Sequence, residues 1–476
     1  MNHSQANSKD IVPLGQKLAF GAGHLVNNLL PGALGVFSFF LLTAFGMDPF
    51  LAGLLGGLPR IYDAITDPIM GYISDNTTSR WGRRRPYIFV GAILCGILFA
   101  ILWQLDPENT QMYNFWYFLL LSLVYLTANT IFSTPLIGMG YEMSSDYNER
   151  TRLMAFSQTI GQMAWMIVPW FWVIIANPAL FKTQAEGVRK LSIIVGVMCM
   201  VLGVLPAIFC KEMDQTHLGN RAELSLKNIL SNIKDLFQSI VKITKNQPFM
   251  RLCGATFLVF NGFQMVGSFS YFIIVFYLFK GDYGLAGNWP AWFSTISAVA
   301  TAFLVIPIVS AMATKWGKRN AFIISTVISI VGYALKWWGF TPGSPWMMMI
   351  PIPLMAFGIG GLFTLMMSMT ADVCDLDELR NGMPRKEGTF GAIYWWMVKL
   401  GQGIALVLGG LVLKVVGFDQ NLAVQSADTL TNLRLADILI PAATAALAVW
   451  IMWNYALTED KAKEIKAILV TRRGEL

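Results

Sequence analysis

The sequence predicts an all-α membrane protein of twelve transmembrane helices in two six-helix bundles, with both termini cytoplasmic. Three observations carry this. The 476-residue chain is 55% hydrophobic and 13% charged, roughly half the charge of a soluble protein. Its apolar residues fall into runs of about 20, the length that crosses a bilayer. A tryptophan–glycine–basic motif occurs twice, about half a chain apart.

Counting apolar runs places spans near 18–45, 50–75, 87–104, 113–140, 153–176, 191–210, 250–279, 289–313, 319–339, 346–371, 388–416 and 434–456. Residues 1–16 are polar and lack an apolar signal core, so no cleaved leader is expected. The one long polar insert, 211–249, carries Leu226, Ile229, Leu230, Ile233, Leu236, Phe237 and Ile240 at helical spacing. That pattern suits an amphipathic helix on the cytoplasmic membrane face. It divides the chain into a bundle at 1–210, the linker at 211–249, a bundle at 250–456 and a tail at 457–476. The repeat supports the division. Arg80-Trp81-Gly82-Arg83-Arg84 recurs as Lys315-Trp316-Gly317-Lys318-Arg319, each after the second helix of its half. Two halves inserted in the same sense are one of the transporter repeat plans.

Orientation follows from the loops. Basic residues gather after spans two, four and eight, at 380–386 and in the tail, whereas 46–51 and 105–114 hold no Lys or Arg. Basic loops face the cytoplasm. The net charge of +7 is therefore a matter of topology, and no nucleic-acid partner is expected. Cys95, Cys199, Cys210, Cys253 and Cys374 have no paired spacing, and three histidines are too few for a His-built metal centre. There is no nucleophile elbow, no Walker A and no dinucleotide fingerprint. The chain reads as neither an enzyme nor a cofactor protein, and nothing in it requires more than a monomer.

The chemistry concentrates in span two. Asp63 and Asp67 stand four apart, on one helical face, with Arg60 three before Asp63. Each charge costs about 2.5–3.5 kcal/mol at mid-bilayer. An ion pair with Arg60 would balance one aspartate and leave the other to hold a proton or attract a small cation. In span four Asn129, Thr130, Ser133 and Thr134 supply oxygens that suit a hard cation beside two carboxylates, or ordinary bonding between helices.

Other polar groups lie within apolar spans. Asn27 and Asn28 bind either a hydroxylated substrate or a neighbouring helix. Gln158, Asn261 and Gln264 are further inward candidates. Lys399 in span eleven requires a counter-ion or a substrate anion, and Trp395 and Trp396 beside it stack on a sugar face or pack in the core. Two cytoplasmic charge clusters have the look of gates: Glu142 with Arg150, and Asp372 and Asp375 with Arg385. Together with Asp75, Arg80, Arg83 and Arg84 they would pair across the two bundles when the cavity opens outward, or merely set topology. Exposed pairs contribute about 0–1 kcal/mol each, so such a latch breaks readily.

The run from Asp63 through Arg83-Arg84-Arg85-Pro86-Tyr87, the Asp372–Glu378 segment and Lys399 together strongly resemble the glycoside–pentoside–hexuronide:cation symporters. The melibiose carrier is the best-known member, and the family lies in the major facilitator superfamily. The resemblance covers nearly the whole chain. It implies that Asp63 and Asp67 are the cation-site aspartates and that Thr66 and Thr130 are further ligands. It also implies that Lys399 lies between sugar and cation sites. The sugar site departs from the family pattern. A helix-four aspartate is replaced by Ser133, the tryptophan one turn later by Ile137, and a helix-five arginine by Gln158, while the helix-one aspartate falls at Asn27 or Asn28.

These observations lead to one expectation. The chain is a cell-membrane symporter, driven by Na+ or H+, that imports a glycoside, oligosaccharide or sugar acid by alternating access. Its partners would be that sugar and the bilayer. The rivals are a lysolipid or other amphiphile transporter of the same fold, favoured by Ile137, and a sugar sensor that does not transport.

Overall fold

The computed structural model describes residues 11–77, 79–140, 143, 147–212, 245–381 and 387–474, and among these all regular structure is helical. Glu142, Arg385 and residues 213–244 of the expected surface helix lie outside the described residues, as do the side chains of Asp75, Arg150 and Gln158.

The first half contains α1 (Leu14–Thr43), α2 (Pro49–Asn76), α3 (Arg85–Leu102) and α4 (Gln111–Gly140). It continues with α5 (Tyr147–Ile167), broken from α6 (Pro169–Ala176) where Pro169 cannot donate a hydrogen bond, and α7 (Gln184–Phe209). The second half begins with α8 (Gln247–Phe272), which runs into a π-helical turn at Ile273–Leu278. The four-residue α9 (Tyr283–Ala286) follows, then α10 (Trp289–Ala300), a second π turn at Thr301–Val305, and α11 (Ile306–Trp316). The last elements are α12 (Lys318–Gly339), α13 (Pro351–Asn381), α14 (Glu387–Val415), α15 (Ala427–Trp453) and α16 (Glu459–Gly474). Side-chain oxygens of Thr183, Asn246 and Ser426 accept backbone N–H groups at the starts of α7, α8 and α15, which satisfies donors that a helix leaves over.

Among the described residues, eleven helical stretches are long and apolar enough to cross a membrane. The stretch at α2 is long enough, about 42 Å at 1.5 Å per residue, but Arg60, Asp63, Asp67 and Asp75 lower its hydropathy. Two expectations change in detail. Helix α13 runs on to Asn381, so Asp372 and Asp375 lie on its last turns and not in a loop. The second copy of the repeat is a one-residue break at Gly317 between α11 and α12.

The helices form two compact units, one drawn from 1–48 and 61–233 and the other from 49–60 and 234–476. Residues 49–60, expected in the first bundle, thus pack with the second. The cause is a glycine face. A Cβ on Gly53 would lie 2.7 Å from the Leu406 carbonyl oxygen, and one on Gly57 would lie 2.5 Å from that of Gly403. The backbones of α2 and α14 therefore touch, as small residues allow in membranes.

Each unit closes on a carboxylate. In the first, Glu212 accepts the backbone N–H groups of Arg83, Arg84 and Arg85 at 2.8, 3.0 and 2.7 Å, at the donor-rich start of α3. Arg85 then donates to the carbonyls of Ala207 and Ile208 at the end of α7, at 2.6 and 3.1 Å. In the second, the Glu459 carboxylate abuts Gly317, and Arg319 donates to the carbonyls of Met452 and Trp453 at the end of α15. Both glycines have positive φ, +101° at Gly82 and +80° at Gly317, and Gly317, with ψ 155°, occupies a region that essentially only glycine adopts. A Cβ would sit 2.8 Å from Glu212 or 2.7 Å from Glu459.

The second unit also buries an ion pair. Lys336 on α12 and Asp437 on α15 are each 1% exposed and bonded directly. One turn before Asp437, Arg434 donates to the Tyr277 hydroxyl and the Trp337 carbonyl, both at 2.6 Å, with its guanidinium 4.2 Å from each ring. Removing one partner of such a pair strands a charge, whereas removing both does not.

Two outcomes follow for the purified protein in thermal or denaturant unfolding. Gly82→Ala and Gly317→Ala should each lose about 1–3 kcal/mol, and the losses should add, since each clasp belongs to its own unit. Lys336→Met should lose about 3–5 kcal/mol, and adding Asp437→Leu should recover most of it.

Candidate functional site

The site is built where α2 faces α4 in the first unit. Asp63, Thr66 and Asp67 recur at i, i+3 and i+4 and so share a face of α2. Thr127, Thr130 and Thr134, at i, i+3 and i+7, share a face of α4 in the same way. The two faces meet. Thr130 Oγ1 lies 3.2 Å from Asp63 Oδ1, 3.1 Å from Asp67 Oδ1 and 3.2 Å from Thr66 Oγ1. Thr66 Oγ1 is also 3.1 Å from the Asp63 carbonyl oxygen, and Thr134 Oγ1 reaches Asp67 Oδ1 only at 3.5 Å. Asp63 and Thr130 are 3% and 2% exposed, and Asp67 and Thr66 are half-buried.

The proton inventory makes this cluster chemically distinctive. A threonine hydroxyl has one hydrogen, so Thr130 satisfies only one of the two carboxylates at a time. A cation among these oxygens would be shared by both. All of the donors are hard oxygens, the set that Na+ or a proton prefers and that soft metals do not.

The other expected residues divide by what they touch. Asn28 donates to the His24 carbonyl at 2.9 Å and accepts from Trp165 Nε1 at 3.3 Å, so it ties α1 to α5. Asn261 donates to the Gly401 carbonyl at 3.0 Å and ties α8 to α14. Both make interhelical bonds. Asn27 and Gln264 are half-buried, and Ser133 is buried one turn beyond Thr130. Trp395 is 46% exposed, and its ring lies nearly parallel to Phe363 at 6.4 Å. Lys399 is one helical turn further along that face and is half-buried, as is Trp396. Phe363 carried no signal in sequence, since a phenylalanine in an apolar run looks like any other. Among the gate residues, Arg80 is exposed, Arg83 and Arg84 bind Glu212 through their backbone, Asp375 is half-buried, and Asp372 pairs with Lys318 at 2.6 Å.

The family description "MFS/sugar transport protein" matches residues 19–459. The chain belongs to this family. As an MFS/sugar transport protein it is a multi-span membrane transporter and not an enzyme. It is similar to the glucuronide carrier protein homolog of Escherichia coli, 24% identical over 464 residues that cover 96% of this chain and 95% of that one. It is also similar to the isoprimeverose transporter of Lactiplantibacillus pentosus, 24% identical with 91% and 86% covered. The sodium-dependent lysophosphatidylcholine symporter 1-B of Danio rerio is 22% identical, with 96% and 90% covered. Among solved structures, a D-xylose–proton symporter superposes with a TM-score of 0.62 at 15% identity, covering 93% of this chain and 97% of that one. At that identity the likeness speaks for the fold.

Proposed function

We propose that this MFS/sugar transport protein is a cation-coupled symporter for a glycoside, oligosaccharide or sugar acid, with Asp63, Asp67, Thr66 and Thr130 as its cation site. The convergence of two carboxylates on the single hydroxyl of Thr130 carries this reading. A bound Na+ or proton offsets one of the pair's two negative charges, and that favours the substrate-binding form. Substrate must by the same linkage strengthen cation binding. On this reading α2 is the twelfth spanning helix and both termini are cytoplasmic, which the basic loops support.

For the substrate, the Phe363–Trp395 stack offers apolar faces to a sugar ring, and Lys399 offers a cation to a carboxylate. The relatives named for a glucuronide and for isoprimeverose support a glycosidic ligand. Asn28 and Asn261, which serve helix contacts, leave the substrate role to Asn27, Ser133, Gln158, Gln264, Trp395, Trp396 and Lys399. The charges at Asp75, Arg80, Arg83, Arg84, Glu142, Arg150, Asp372, Asp375 and Arg385 act as the cytoplasmic gate.

The test is uptake into proteoliposomes of a panel of neutral and acidic glycosides under imposed sodium or proton gradients. Wild type should accumulate substrate under one gradient, and Asp63→Asn and Asp67→Asn should each lose at least tenfold of that accumulation. Uptake that survives Asp63→Asn and ignores both gradients would refute coupling at this site. Sodium-driven uptake of lysophosphatidylcholine with no sugar uptake would replace the sugar by an amphiphile. Lys399→Ala should weaken acidic glycosides at least tenfold and neutral ones much less, read as the ratio of half-saturation constants.

A further inference from the structure

A second hydrogen-bonded contact joins α2 to α4, and the cation site described above does not use it. Tyr62 Oη lies 2.8 Å from Thr127 Oγ1. Thr127 donates its single hydrogen to the Leu123 carbonyl at 2.9 Å, so in the Tyr62–Thr127 bond the phenol is the donor. Beside this pair is a groove of about 520 Å³ that Leu94, Leu98, Val124 and Ile131 line together with Tyr62 and Thr127. Those neighbours are aliphatic and lie on membrane spans. They offer the half-buried phenol no alternative acceptor.

The geometry gives this bond a purpose. Tyr62 and Asp63 are consecutive, so their side chains leave α2 about 100° apart. On α4 their partners, Thr127 and Thr130, are three residues apart and share a face. One contact between two helices leaves each free to roll about its axis. A contact at a second angle on α2 fixes the roll of that helix. The first is soft, because the 3.1–3.2 Å contacts of Thr130 must rearrange as a cation enters or leaves. The Tyr62–Thr127 bond need not. Rolling α2 by about 10° would carry a carboxylate, roughly 6 Å from the axis, through roughly 1 Å. That exceeds the tolerance of oxygen ligands around a small cation.

We propose that Tyr62 and Thr127 are positioning residues of the cation site: their hydroxyl bond sets the roll of α2 so that Asp63 and Asp67 face Thr130. This rests on the cation reading, and the experiment separates the two. Purified full-length protein is reconstituted, and uptake of a transported glycoside is measured as a function of sodium concentration and, separately, of pH. Tyr62→Phe keeps the ring and removes only the hydroxyl. It should raise the sodium concentration for half-maximal uptake three- to tenfold, or lower the midpoint pH of a proton-driven process by 0.5–1 unit, the same change on a logarithmic scale. The maximal rate at saturating cation should be unchanged. Thr127→Val should do the same, the double variant should be no worse than either single one, and Thr127→Ser, which keeps the oxygen, should restore wild-type behaviour.

A bond that served stability alone would lower the unfolding temperature of Tyr62→Phe and leave its cation dependence at the wild-type value, and that result would overturn the proposal. Additive effects of the two single variants would overturn it as well. Asp63→Asn in the same assay isolates the foundation. If cation dependence survives that change, the cation reading fails and takes this proposal with it. If Asp63→Asn abolishes the dependence and Tyr62→Phe leaves it unmoved, only the positioning role fails.

Discussion

Lipid offers a charge nothing to bond with, and the structure is organised around that denial. Every ionised or strongly polar group on a spanning helix must be answered by another helix. Asp63 and Asp67 meet the hydroxyl of Thr130, Lys336 meets Asp437, and Asn28 meets Trp165. The same rule yields different chemistry in the two units. The first sets two like charges around one hydroxyl. The second sets opposite charges together, with Arg434 sandwiched between Tyr277 and Trp337, an arrangement already balanced between its main partners.

Most of the fold was legible because a membrane reads composition coarsely. Runs of about 20 apolar residues must be helices, and the expected spans fall within a few residues of those observed, apart from the fifth, sixth and twelfth, which begin six or seven residues earlier, and the tenth, which continues ten residues further as a charged helix. The aspartate pair at Asp63 and Asp67 was legible for a related reason, since a carboxylate in such a run is costly enough to stand out. The same reasoning, applied to span nine and span twelve, would have drawn attention to Lys336, Arg434 and Asp437. What stayed hidden was contact at close range. The glycines at 53 and 57 do not say which helix they will touch, and Glu212 looks like any charged residue after a span. Phe363 and Tyr62 look like core. These roles depend on which surfaces meet, and the spacing within one helix does not contain that.

The repeated motif makes the point more sharply. Sequence showed a tryptophan, a glycine and two basic residues in each half, and topology alone would explain the basic ones. The fold adds a glutamate at each copy, Glu212 and Glu459. The glycine is there because it bends where a side chain cannot and lets that carboxylate approach the backbone. The arginines that reach the end of the last span differ by one position between the copies, Arg85 three after its glycine and Arg319 two after. The two halves have therefore kept the connection while drifting in register.

The division of α2 has a consequence for how the protein comes into being. Chains enter the membrane from the N-terminus, and domains close as their residues become available. The clasp at Glu212 is complete once the sixth span has been made, so the first unit can seal while the second is still on the ribosome. The glycine face at Gly53 and Gly57 cannot. Its partners at Gly403 and Gly410 are among the last segments synthesised, and until they arrive that stretch of backbone waits with its closest surface uncovered. The nascent protein thus carries an unfinished seam, a few residues from Asp63, through almost all of its assembly.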